Sequence, residues 1–151
     1  MMKWLGSVGI CALIAVCCCG TSSNTLTGSE AQVYDLSFNS VVILLEGTSV
    51  SIKYVGDSGD PAILVVDVAN LASVAGVSID LTQLDSGQPR GVLENVNGGG
   101  DGVTDQLMIS RGTVVFDQTP KIGANLSGSF NATLVDGYTL DGTFSAPVNG
   151  P

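Results

Sequence analysis

The sequence predicts an all-β domain, specifically an antiparallel β-sandwich of about eight strands. Short runs rich in Val, Ile, Leu and Phe recur between Gly-, Asn- and Asp-containing turn signals, the spacing expected of a sandwich or barrel. Several runs alternate apolar and polar residues with the period of a half-buried strand. Two texts near the C-terminus, GSFNATL and GTFSAPV, share one pattern and flank an Asp-Gly turn.

In chain order, Val41-Val42-Ile43-Leu44-Leu45 is apolar on both faces, so it reads as a strand covered on both sides or a contact surface. Val50, Ile52 and Tyr54 alternate with Ser51 and Lys53. Ile63-Leu64-Val65-Val66 is again doubly apolar. Val68, Leu71, Ala72 and Ala75, followed by Gly76, have helical spacing and a stop signal, which predicts one short helix near 67–75. Val77, Ile79 and Leu81 return to strand alternation. Leu107 and Ile109 are odd whereas Val114 and Phe116 are even, so the inward phase changes between them; one extra residue does this, and a bulge or break is expected at Gly112.

The C-terminal hairpin is the most constrained element. Leu126, Gly128, Phe130, Ala132 and Leu134 share one phase, and Tyr138, Leu140, Gly142, Phe144 and Ala146 share another. A two-residue Asp136-Gly137 loop would send these sets to opposite faces. A three-residue loop of Val135, Asp136 and Gly137, with Gly137 left-handed, opposes Leu134 to Tyr138, Phe130 to Gly142 and Gly128 to Phe144. Each ring then covers bare backbone on the partner strand.

Upstream of the domain the character changes. Lys3 and the α-amino group precede an apolar stretch, Leu5 to Val16, closed by Cys17-Cys18-Cys19; with Cys11 these are all four cysteines. Twelve residues interrupted by Gly6, Ser7 and Gly9 fall short of the ~20 that span a bilayer. The form is that of an export signal. With a cysteine at the cleavage point it resembles a bacterial lipoprotein signal peptide, over residues 1–22. The resemblance implies cleavage before a cysteine that carries a diacylglyceryl thioether. Ile14-Ala15-Val16-Cys17 and Val16-Cys17-Cys18-Cys19 are the competing lipoboxes. Cleavage before Cys17 leaves two exposed thiols in an oxidising compartment, whereas cleavage before Cys19 leaves none. The expected lipid attachment is therefore Cys19, with Cys17 and Cys18 as alternatives. Gly20 directly after it implies, by that family's sorting preference, the outer membrane of a didermic cell.

The expected organisation is a signal peptide at 1–18, a flexible tether at 19–29 and a single domain at 30–151. GTSSNTLTGS in the tether has neither charge nor period. After the signal, four basic residues (Lys53, Arg90, Arg111 and Lys121) face 14 acidic ones, a net charge of −10. That field repels phosphate backbones, so nucleic acid is not an expected partner.

The chain contains no histidine, and no other cysteine follows Cys19. His-based triads, thiol catalysis and the usual zinc ligand sets are thereby excluded from the mature domain. Carboxylate pairs remain: Asp57 with Asp60, and Asp101 with Asp105. Ordinary turn chemistry accounts for most of them, since Asp57, Asp60 and Asp101 lie beside Gly, Ser or Pro. The 97–105 loop offers oxygen ligands but has neither EF-hand spacing nor a repeat, so a surface loop is expected over a calcium site. Asn125-Leu-Ser127 and Asn131-Ala-Thr133 match a glycosylation triplet inside an expected strand and are read as chance. No catalytic residue, metal or cofactor is assigned. The expected function is that of an exported, lipid-anchored cell-envelope protein whose domain binds or builds. The alternatives are carriage of an apolar ligand between sheets and a carboxylate-based hydrolase.

Overall fold

The computed structural model describes residues 23–96 and 104–151. The signal, Cys17 to Cys19 and most of the 97–105 loop, Asp101 included, lie outside the described residues. Within them the chain is all β. Strand β1 (Thr25–Thr27) and a 3-10 turn (Ser29–Gln32) precede β2 (Ser40–Glu46), β3 (Ser49–Gly56) and β4 (Gly59–Asp67). Then come β5 (Ser78–Asp80), β6 (Leu84–Asp85), β7 (Gln88–Pro89), β8 (Gly91–Val96) and β9 (Thr104–Leu107). The long strands β10 (Ile109–Phe116), β11 (Asn125–Leu134) and β12 (Thr139–Asn149) finish the domain.

Nine strands follow one hydrogen-bonded path, β5-β10-β11-β12-β2-β3-β4-β8-β9, curled into a half-barrel. The strands thus form one continuous curled sheet in place of the two separate sheets expected of a sandwich. The free edge of β12 is divided: β1 pairs antiparallel at Asp141 to Thr143, and β2 pairs parallel at Val148 and Asn149. The ends of the path are drawn together by the chain itself, because only Met108 separates β9 from β10. Leu81 also crosses the gap: its amide donates to the Gly112 carbonyl on β10, and its carbonyl accepts from the Gly91 amide at the start of β8.

The hairpin expectation holds. Phe130 pairs with Gly142 and Gly128 with Phe144, the loop is 135–137, and Gly137 has φ 94. Glycine is needed at both partners for space. A Cβ on Gly142 would overlap the Phe130 ring and lie 2.6 Å from the Tyr54 hydroxyl. One on Gly128 would lie 2.6 Å from Cζ of Phe144. Tyr54, fully buried, stands edge-on to Phe38 and Phe130, and its hydroxyl donates to the Thr143 carbonyl at 2.9 Å. Burial pushes its phenol pKa up.

Three expectations are corrected. No helix forms near 67–75. The Val68 amide is taken by the Thr48 carbonyl and the Ala69 amide by the Asp67 carboxylate, while Asn70 has φ 58, so no helical ladder can start. The register shift lies between Ile109 and Arg111 rather than at Gly112. Ser110 is the extra residue, held by its hydroxyl, which reaches the Thr133 and Leu134 carbonyls at 2.9 and 3.2 Å. Gly112 sits in regular strand, where a Cβ would be 2.7 Å from the Asn131 carbonyl oxygen. Thr25–Thr27, expected to be part of a flexible tether, is a strand on β12.

Of the doubly apolar runs, 63–66 lies in the covered interior of the sheet, between β3 and β8. On its outward side Ile63 is 8% exposed, flanked in register by Lys53 and Glu94, whose stems shield it. In 41–45, Val41 and Ile43 are buried but Leu44 is exposed.

Gly142→Ala is expected to lower unfolding free energy by about 2–3 kcal/mol through overpacking. Gly137→Ala, with nothing within 4 Å of its Cβ, should cost only the backbone strain, about 1 kcal/mol. Urea unfolding of both variants measures the difference, and equal losses would remove the ring-on-backbone account.

Candidate functional site

At the end of the β3–β4 hairpin, three segments remote in sequence meet. The 35–39 stretch enters β2, the 57–61 turn opens β4, and Asn95 and Val96 end β8; together they line a recess of about 230 Å³. Gly56 permits the approach, since a Cβ there would be 2.9 Å from the Ser37 carbonyl oxygen. The walls are oxygen-rich. Asp35 accepts from the Ser37 hydroxyl and from its amide at 2.9 Å, which holds its carboxyl below the usual range. Asn39 donates through its amide side chain to Asp57. Asn95 is buried and donates to the Pro61 carbonyl at 3.0 Å, fixing the floor.

The recess takes in one of the acids singled out in sequence and separates it from its partner. Asp57 is exposed on the turn and engaged by Asn39, while Asp60 turns to Lys53 at 3.1 Å. The two carboxylates are held by different groups. Asp105 stands in β9 opposite Asn95, whereas Asp101 is outside the described residues. Among the described residues no three His, Cys, Asp or Glu side chains are grouped as a metal cluster requires. Asn125 and Asn131 lie in β11, as expected, and donate across the sheet to Ser145 and Thr113 hydroxyls. What the recess offers is hydrogen-bond acceptance by fixed carboxylate and carbonyl oxygens.

Asp35, Asn39 and Asn95 had no sequence signal, because their convergence depends on sheet topology. Glu30 was also missed. It is 2% exposed in the 3-10 turn, and its Oε2 has no hydrogen-bond partner. Burial, with the Asp136 charge nearby, raises its pKa. It is not among the residues lining the recess.

No known protein family, curated protein or solved structure matches this chain.

Glu30 generates a pH prediction whose sign is opposite to that of most carboxylates. Its folded pKa lies above the unfolded value of 4.5, so between the two the native state holds the extra proton and stability falls as pH rises. Glu30→Gln should therefore stabilise the domain near neutral pH, because it removes the charge that burial and the Asp136 carboxylate disfavour. The gain should vanish below the unfolded pKa. Thermal melts across that range measure it; a pH-independent difference would show that the Glu30 charge is not responsible.

Proposed function

We propose that this protein is an exported lipoprotein of the bacterial cell envelope, anchored through Cys19, whose β domain acts by binding or as a structural component and not as an enzyme. The observation that carries the reading is the Cys17-Cys18-Cys19 cluster closing a short apolar run, followed by 132 residues without a cysteine. A signal of that form explains both the location of the cysteines and their absence afterwards. Gly20 after the anchor favours the outer membrane where the cell has one.

The non-catalytic part is supported by the engagement of the candidate acids with separate partners, Asp57 with Asn39 and Asp60 with Lys53. The recess beside Asp57, with Asp35 and Asn39 on its walls, is the best candidate for contact with a polar ligand or protein. Carriage of an apolar ligand has less support. Ile43, Ile52, Tyr54, Leu64, Leu93, Phe116 and Leu140 are all fully buried and fill the concave side with one another.

Mass spectrometry of the mature N-terminus should find a diacylglyceryl cysteine at position 19, and Cys19→Ser should abolish membrane association. A diacylglyceryl group on Cys17 would move the anchor. An unmodified N-terminus on a freely soluble protein would overturn the anchoring.

A further inference from the structure

The first described residues leave the domain at a defined place and in a defined direction. Asn24 accepts through its side chain from the Ser145 amide at 2.6 Å, and the Ser23 carbonyl accepts from the Thr143 hydroxyl at 3.0 Å. Because β1 is antiparallel to β12, the chain traced back from Thr25 heads toward the end of the β11–β12 ribbon where Asn125 pairs with Pro147. From Ser145 to Asn149 is about 14 Å at ~3.4 Å per residue. From Ser23 back to Cys19 is four residues, which reach at most ~14 Å. The opposite tip of the ribbon, 135–137, lies about 27 Å or more from Ser145 in the other direction on the same spacing. A lipid on Cys19 can thus reach the 125/149 end and not the hairpin tip.

That end carries an apolar and a basic side chain in adjacent positions. Ile122 is 56% exposed and lies against Gly150, and Lys121 beside it is one of only four basic residues after the signal. Leu44, paired in register with Asn149, adds a second exposed aliphatic group. Asp117, bonded to the Ser127 hydroxyl, and Glu46, two residues beyond Leu44 on β2, add acidic side chains near this end. An aliphatic tip next to a lysine, rimmed by acids, suits the headgroup layer rather than the hydrocarbon core.

We propose that the protein stands on its own bilayer in one orientation, with the 121–122 loop and the end of β12 in the headgroup layer and the 135–137 hairpin pointing away. This rests on the Cys19 anchor. It turns the anchor from a loose leash into a mount, because β1 fixes the exit point and leaves only a few residues of slack.

The test uses the absence of tryptophan after the signal, whose Trp4 is the sole one in the chain. Ile122→Trp and Val135→Trp, both replacing exposed aliphatic residues, are made in the full chain, produced with export and recovered in vesicles containing lipids brominated near the headgroup. Mass spectrometry confirms the acylated N-terminus of each preparation. The expected result is several-fold stronger quenching at position 122 than at 135, with a blue shift only at 122. Equal quenching at both positions, or stronger quenching at 135, on acylated protein overturns the orientation while leaving the anchor intact. Loss of acylation with Trp4 retained overturns the anchor, and the orientation with it.

Discussion

The fold depends on large side chains lying directly on bare backbone. The curled half-barrel has a narrow interior, and on the β11–β12 ribbon the rings enter it where the paired residue has no Cβ. Phe130 over Gly142 and Phe144 over Gly128 are two such contacts, and Leu81 between Gly91 and Gly112 is a third. The first two set the hairpin register, since a slip of one residue would drive each ring into a side chain. They also make room for Tyr54, whose hydroxyl lies 2.6 Å from where a Gly142 Cβ would be. The phenol pays for its burial by donating to Thr143. The third contact holds the two ends of the sheet together, because Leu81 hydrogen-bonds to the residues whose bare backbone it covers.

A buried arginine organises the other side of the half-barrel. Arg90 is 6% exposed and donates to the Asp67 and Ala69 carbonyls at 3.1 and 2.7 Å. It thereby satisfies backbone groups of the turn that follows β4. Its Nε has no partner, and Asp85 at 3.9 Å is a loose counter-charge. One of the four basic residues after Cys19 thus serves a loop, which is consistent with the surface remaining strongly acidic.

How much of this was legible in the sequence follows from where each signal originates. The hairpin was readable because two phases and one turn admit a single register. The bulge was displaced by two residues because phase shows only that a residue is extra; the Ser110 hydroxyl bonds that select it are invisible in the text. The helix near 67–75 failed for the same reason: spacing reports apolar periodicity but not that Thr48 and Asp67 claim the amides. Thr25–Thr27 carries no strand pattern and becomes one because β2 leaves part of the β12 edge open. For the recess, closeness in sequence selected Asp57 and Asp60, yet the sheet turns them to different partners and brings in Asp35, Asn39 and Asn95 from elsewhere.

The acidity of the chain has a local use besides its long-range field. Asp35, Asp67 and Asp80 each accept the amide two residues on, from Ser37, Ala69 and Thr82, and each has a lowered pKa, chiefly through the Ser37 and Thr82 hydroxyls at Asp35 and Asp80 and through the Ala69 amide at Asp67. Ionisation of the carboxylate strengthens such a turn. Its contribution is complete above the unfolded value of 3.8 and is lost as pH falls through the lower folded values. Glu30 acts in the opposite sense, because its burial favours the proton. The mutual repulsion of many carboxylates is thus offset by giving several of them backbone amides to hold, each within its own turn.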